Sequence, residues 1–163
     1  MDYLRCALFL GVGATAMMDL WGYARRPLLG IAPPDYAMVG RWIGHMAGGR
    51  FRHEAIGKSE PIQGERAIGW GFHYLTGIAF ASLLLAIGGA AWIREPSLGP
   101  ALAVGIGTVA APFLLMQPGM GAGIAASRTP RPWSARIQSL LTHAVFGLGL
   151  YGAGIAASWL RSI

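Results

Sequence analysis

The chain of 163 residues is 54% hydrophobic and only 12% charged, and its formal net charge is +6 at neutral pH. Soluble domains carry about twice this share of charged residues, so the composition excludes an ordinary soluble globular protein. The single cysteine, Cys6, excludes a disulfide framework and a cysteine-based metal motif, and it is best explained as a small apolar core residue.

Four long apolar runs predict an all-α membrane protein with four transmembrane helices. Three of the runs contain no charged residue, and the first is interrupted only by Asp19. The three uncharged runs exceed the roughly 20 residues that cross a bilayer as a helix. We place the transmembrane helices at about residues 4–24, 67–93, 97–125 and 137–160 of a single integral membrane domain, 1–163, with a cytoplasmic loop at 25–66.

The basic residues predict the orientation and the compartment. Ten lysines and arginines fall in two loops on one side, whereas only Arg5, Arg94 and Arg161 fall on the other. Basic residues concentrate in cytoplasmic loops, so we expect a multi-pass membrane protein with these two loops in the cytoplasm and both termini outward. The expected partners are the lipid bilayer and further copies of the chain, because four helices leave little room for an enclosed path. The positive charge is not a nucleic-acid signature here.

The cytoplasmic loop contains a short amphipathic helix at Asp35–Met46. Asp35 is a suitable N-cap, and apolar side chains recur at the spacing i, i+3, i+4, i+7. Such a helix lies in the membrane interface or packs against the ends of the spanning helices. The apolar face consists of Val39, Trp42, Ile43 and Met46, and the opposite face carries Arg41 and His45.

Two sequence patterns suggest a 2+2 internal repeat. Gly69-x3-His73-x3-Gly77 in helix 2 resembles Ser139-x3-His143-x3-Gly147 in helix 4. GVGATA from Gly11 in helix 1 resembles GIGTVA from Gly105 in helix 3. The repeats would be parallel, because the members of each matched pair cross the membrane in the same direction.

The third transmembrane helix contains two prolines and a cluster of glycines. Proline lacks the backbone N–H and clashes with the preceding turn, so we expect a kink at Pro112 and a break near Pro118. Discontinuous membrane helices often line a site. A helix kinked only for packing is the alternative, because glycine and proline are common in membrane helices.

Ionisable and polar side chains from the four helices fall at one depth and form a candidate binding site. An aspartate or histidine inside the bilayer is costly unless it faces a polar partner, so such residues mark function or helix-bridging pairs. The candidate residues are Asp19, His73, His143, Met116, Gln117 and Thr15.

Three functions are compatible with this site. The first is a small transporter or channel-like protein that handles a proton, a metal ion or a small solute. The second is a membrane-embedded metal-dependent or redox enzyme, in which Asp19, His73 and His143 bind a divalent ion and Met116 or Met18 favours copper. The third is a structural or accessory subunit. No catalytic residue is identified, and we favour the first function.

The remaining polar residues of the cytoplasmic loop have weaker signals. Arg41, Arg50 and Arg52 are candidates for contacts with a lipid headgroup or another anion, although loop arginines also serve topology alone. His45 and His53 are expected to be solvated or to cap local structure.

Several motifs together resemble an uncharacterised family of bacterial membrane proteins, known as a domain of unknown function. The resemblance covers nearly the whole chain and implies a small multi-pass inner-membrane protein, without implying an activity. The motifs are MDLW at Met18–Trp21, VGRWIGH at Val39–His45, GRFRH at Gly49–His53, GER at Gly64–Arg66, HYLTGIAFA from His73 and PFLLMQPGMGAGIAASRTP from Pro112.

Overall fold

The computed structural model describes residues 2–162, with the backbone alone at Ala90, Arg161 and Ser162. The side chain of Arg161, which enters the charge count of the outward side, therefore lies outside the described residues. All regular structure in the described part of the chain is helical. The helices are α1 (Tyr3–Leu29), α2 (Tyr36–Ala47), α3 (Glu65–Arg94), α4 (Leu98–Gly107), a π-helix (Pro112–Met116), α5 (Gln117–Met120) and α6 (Pro132–Ser162), with 3₁₀ turns at Ile56–Lys58 and Ile124–Ala126.

Four helical segments are long and apolar enough to cross a membrane, which confirms the predicted class. These segments are Tyr3–Leu29, Glu65–Gly89, Leu98–Met120 and Pro132–Leu160. The first extends beyond the predicted end near residue 24, because the helix ends where Gly30 supplies a left-handed C-cap with φ +68°. The N–H of Gly30 bonds the carbonyl of Arg26, and that of Ile31 reaches the carbonyl of Arg25, which satisfies the last turn.

The third span is interrupted earlier than the sequence suggests. Helix α4 ends at Gly107, and the chain takes π-helical geometry from Pro112, whose missing N–H removes one bond of the α-helical ladder. The predicted distortion at Pro112 is therefore confirmed. The break that we predicted near Pro118 is found three residues later, because Pro118 itself lies in the first turn of α5, where proline is well tolerated. The helix ends instead at Gly121, with φ +96°, where an added Cβ would overlap the carbonyl of Glu54.

The chain divides into two compact units. Unit 1 consists of the residues up to Pro33, Tyr74–Thr108 and the residues from Leu140. Unit 2 consists of Pro34–His73 and Val109–Ser139.

Unit 1 is a bundle whose helices approach closely through small residues. An added Cβ at Gly77 would overlap the hydroxyl of Thr15, and one at Gly105 would overlap the backbone of Gly147. Such contacts stabilise membrane helices by van der Waals packing, since lipid supplies no hydrophobic driving force between them. The buried core around these contacts includes Cys6, Leu10, Ala14, Ala81, Leu84, Leu85, Trp92, Val104, Phe146 and Leu150.

Unit 2 is built on the crossing of α2 with the first turns of α3. Gly40 of α2 faces the carbonyl of Glu65, and Gly69 of α3 faces the carbonyl of Tyr36, so neither position has room for a side chain. The loop after α2 is tied down by Trp42, whose indole N–H donates to the carbonyl of Phe51 at 3.0 Å. We expected α2 to lie in the membrane interface or to pack against the end of a spanning helix, and in the structure it packs against the first turns of α3.

Candidate functional site

Asp19 of α1 is paired with a hydroxyl group of α3 within unit 1. The phenol of Tyr74 donates a hydrogen bond to the Asp19 carboxylate at 3.1 Å. The side chain of Asp19 is half-buried, inside a segment of membrane-spanning length. A hydrogen bond to a carboxylate lowers the free-energy cost of placing that group inside the bilayer. The bond from Tyr74 therefore explains how Asp19 is accommodated within a span.

His143 of α6 forms the second polar pair of unit 1, with Thr108 at the end of α4. The Thr108 hydroxyl donates to the carbonyl of Gly105 at 2.7 Å. Nδ1 of His143 lies 3.2 Å from both the Thr108 hydroxyl and the Gly105 carbonyl. A carbonyl oxygen only accepts, so Nδ1 carries the proton in the neutral imidazole and Nε2 carries the lone pair. The pair is buried and joins two spans.

Thr15 and Arg25 complete the polar groups that α1 contributes to unit 1. The Thr15 hydroxyl donates back to the carbonyl of Gly11 at 2.7 Å, so Thr15 is a packing residue and does not bond Asp19 in this way. Arg25 is only 7% exposed, although the sequence analysis places it in a cytoplasmic loop. Its guanidinium reaches the hydroxyl of Thr142 and the carbonyl of Ala32, each at 3.4 Å.

Arg41 occupies a buried position in unit 2 and is paired with Glu65, while its contact with lipid or another anion stays a prediction. Its guanidinium donates two 2.8 Å hydrogen bonds to the carboxylate of Glu65 and one to the carbonyl of Ser59. The same carboxylate accepts the N–H of Ile62. Glu65 holds the pKa of Arg41 above its ordinary value through this hydrogen bond. Helix α2 is thus buried on two sides, because Val39 and Trp42 are also buried.

His53 is buried in the loop of unit 2 and is 6% exposed. Nδ1 shares a 2.8 Å hydrogen bond with the Ser59 hydroxyl, and no described group bonds Nε2. Burial, followed by repulsion from Arg50 and His45, lowers the pKa of His53 below its ordinary value, so the neutral imidazole is favoured. His45, whose ring centroid is 5.1 Å away, bonds the carbonyl of Glu60. His45 and His53 therefore hold the loop in place through their hydrogen bonds, which agrees with the expectation that they cap local structure.

The remaining predicted site residues belong to unit 2. Nε2 of His73 lies 2.9 Å from the phenol of Tyr36, and the two rings stack with centroids 4.2 Å apart. Met116 ends the π-helix and is half-buried. Gln117 begins α5, and its side-chain oxygen is buried without a hydrogen-bond partner among the described residues.

The three predicted metal ligands, Asp19, His73 and His143, are each engaged by a different hydroxyl group. Among the residues that the structure describes, no three His, Cys, Asp or Glu side chains are grouped closely enough to hold a metal ion. The binding of a divalent or copper ion by these three residues therefore stays a prediction.

Sequence reasoning missed the phenols of Tyr74 and Tyr36 and the buried position of Arg25. Tyr74 directly follows His73 in the sequence, inside an uncharged run, and a buried tyrosine generally has a partner for its hydroxyl. The partner of Tyr74 could therefore have been sought from the sequence. The burial of Arg25 could not be predicted, because it depends on helix α1 continuing for another turn.

These features define a class: an all-helical membrane protein with four spans and hydroxyl-bonded ionisable groups inside them. The chain belongs to the family described as "Protein of unknown function (DUF2938)", whose model matches residues 8–157. This confirms the resemblance drawn from the motifs. No curated protein and no solved structure matches the chain.

Proposed function

We propose that the protein is a small transporter or channel-like protein of the inner membrane that handles a proton. The observation that carries the proposal is the placement of Asp19 and His143. Asp19 lies on the first span and His143 on the fourth, and they are bonded by hydroxyl groups of the second and third spans, respectively. Aspartate and histidine within spans are the usual components of intramembrane proton relays.

The protonation states inferred from the hydrogen bonds suit proton transfer. The Asp19 carboxylate accepts a hydrogen bond from Tyr74, and a carboxylate is a group that can take up a proton. His143 donates through Nδ1, so Nε2 is the atom that would take up a proton. Protonation of either residue leaves its bond to the hydroxyl possible, because the Tyr74 phenol and the Thr108 hydroxyl both donate and accept.

Proton flux into proteoliposomes tests the proposal. The purified protein is reconstituted with a pH-sensitive dye in the lumen, and a potassium diffusion potential drives protons inward. We expect proton flux from the wild-type protein. We expect this flux to be lost in Asp19→Asn and in His143→Gln, because neither asparagine nor glutamine takes up or releases a proton. Ser158→Ala is the matched control, since the Ser158 hydroxyl only bonds Ile155 within α6.

A structural or accessory function is the second candidate, and the dense glycine-mediated packing of unit 1 favours it. In that case wild-type proteoliposomes conduct no protons. Asp19→Asn would then lower the thermal unfolding midpoint in detergent without any loss of transport. Flux abolished in an Asp19→Asn variant that unfolds at the wild-type temperature would exclude this second function.

The orientation and assembly belong to the same proposal. The excess of lysine and arginine in two loops supports a topology with those loops in the cytoplasm and both termini outward. Homo-oligomers are expected, because one chain with four spans leaves little room for an enclosed path. Cysteine labelling at Gly57 and at Ser97, each exposed, would report which side each loop faces.

A further inference from the structure

The connection from α5 to α6 joins two spans, so it lies at a membrane surface. The span that ends at Met120 is followed by the 3₁₀ turn Ile124–Ala126, and the next span begins at Pro132. Trp133 in the first turn of α6 is 73% exposed. Exposed tryptophan at the end of a span is typical of the headgroup level of a bilayer.

This connection carries positive charge without any acidic residue. Arg128, Arg131 and Arg136 fall within nine residues, whereas all seven acidic residues of the chain precede Pro96. Arg128 and Arg131 are exposed and make no side-chain hydrogen bond or ion pair with a described residue. The basic loop after α2 differs in this respect, because Glu54 and Glu60 accompany its arginines.

The backbone of the connection is held in a fixed and strained conformation. Ala125 and Ala126 have φ values of +46° and +59°, in the left-handed region that disfavours alanine. Nε of Arg136 donates to the carbonyl of Ala125 at 2.8 Å, and the Thr129 hydroxyl donates to the carbonyl of Ala126 at 2.8 Å. The guanidinium of Arg136 also lies 4.8 Å from the centroid of the Trp133 ring. A connection tied in this way loses little backbone conformational entropy when its arginines bind a ligand.

We propose that Arg128, Arg131, Arg136 and Trp133 form a binding site for the headgroup of an anionic phospholipid. Guanidinium groups match the geometry of a phosphodiester, and each basic residue near an anionic membrane surface strengthens binding about fivefold. Trp133 contacts the glycerol and upper acyl region, where an amphipathic ring is favoured. The site is independent of the proton function proposed above.

Native mass spectrometry with phosphatidylglycerol as the probe measures this binding. The protein in neutral detergent is titrated with phosphatidylglycerol, and with phosphatidylcholine in parallel. Arg128→Gln/Arg131→Gln is expected to weaken phosphatidylglycerol binding about 25-fold, as two fivefold losses combine. The matched control is Arg26→Gln/Arg94→Gln, which removes the same charge from two exposed arginines elsewhere and should leave binding unchanged. Arg128→Lys/Arg131→Lys retains the charge and should recover most of the binding.

Three results would overturn the proposal. The first is equal binding of phosphatidylglycerol and phosphatidylcholine by the wild-type protein. The second is an equal loss in the Arg26/Arg94 control, which would indicate bulk attraction without a site. The third is displacement of the lipid by millimolar inorganic phosphate, which would indicate a site for a soluble anion. Circular dichroism of each variant establishes that it is folded, and the lysine variant tests the proposal even if the glutamine variant unfolds.

Discussion

The crossing of α2 with α3 depends on Gly69, and alanine at this position tests the contact. An added Cβ would overlap the backbone carbonyl of Tyr36, which cannot rotate away as a side chain could. Gly71 lies two residues further along the same helix, and an added Cβ there would meet no described atom within 4 Å. Gly69→Ala and Gly71→Ala therefore differ in their surroundings and not in their chemistry.

The expected magnitudes follow from two opposing contributions. Alanine is favoured over glycine in a helix by about 1 kcal/mol, so Gly71→Ala should be neutral or up to about 1 kcal/mol more stable. Gly69→Ala gains the same propensity but must push two backbones apart. Overpacking costs about 1–3 kcal/mol, and the upper value applies because backbone has to move. The net loss at Gly69 is therefore about 2 kcal/mol, or about 3 kcal/mol relative to Gly71→Ala.

Equilibrium unfolding in mixed micelles measures this difference. The protein in a mild detergent is titrated with sodium dodecyl sulfate, and circular dichroism follows the loss of helix. Tryptophan fluorescence follows the same transition through the six tryptophans of the chain, of which Trp42, Trp70 and Trp133 lie in unit 2. If Gly69→Ala were as stable as Gly71→Ala, the close approach of the two helices would be refuted, and α2 would have to lie elsewhere.

Two further predictions concern the polar groups of unit 2. Glu65→Gln should lower the unfolding midpoint, because it leaves the buried Arg41 without its carboxylate. The double variant Arg41→Gln/Glu65→Gln should recover part of that loss, since it also removes the buried charge. A double variant no more stable than Glu65→Gln would contradict this explanation. Since the pKa of His53 is lowered, the unfolded chain binds a proton that the folded chain excludes, so stability should fall as the pH drops from about 7 through 6.5 towards the folded-state pKa. His53→Gln should flatten that part of the pH–stability profile, and an unchanged slope would show that another group is responsible.

The sequence predicted the class and the number of spans, because length and lack of charge suffice for that inference. The comparison of the two halves of the sequence also paired Gly11 with Gly105 and Gly77 with Gly147, and these glycines make equivalent contacts. Gly11 and Gly77 meet in the first pair of helices, and Gly105 and Gly147 meet in the second, as the 2+2 repeat requires. The repeat itself stays a prediction, and so do the lipid or anion contacts of Arg50 and Arg52.

The partners of the polar residues could not be read from the sequence. Periodicity places Arg41 opposite Val39 and Trp42, but it cannot show that a second partner, Glu65, covers that side of the helix. Pairing between positions 24 residues apart depends on how the loop folds back. The sequence singled out Asp19, His73 and His143 as polar groups inside the spans, and in the structure they are buried or half-buried. Their hydroxyl partners could be identified only from the coordinates.

The distribution of these pairs along the chain has a consequence for biosynthesis. The Asp19–Tyr74 bond and the Thr15–Gly77 contact lie within the first two spans, whereas the His143–Thr108 bond and the Gly105–Gly147 contact lie within the last two. Each half is therefore a helical hairpin that can make its own bonds on leaving the translocon, and the first half can do so before the second is synthesised. Only Glu95, Pro96 and Ser97 separate α3 from α4. A chain cut at this short connection should reassemble from two co-expressed hairpins.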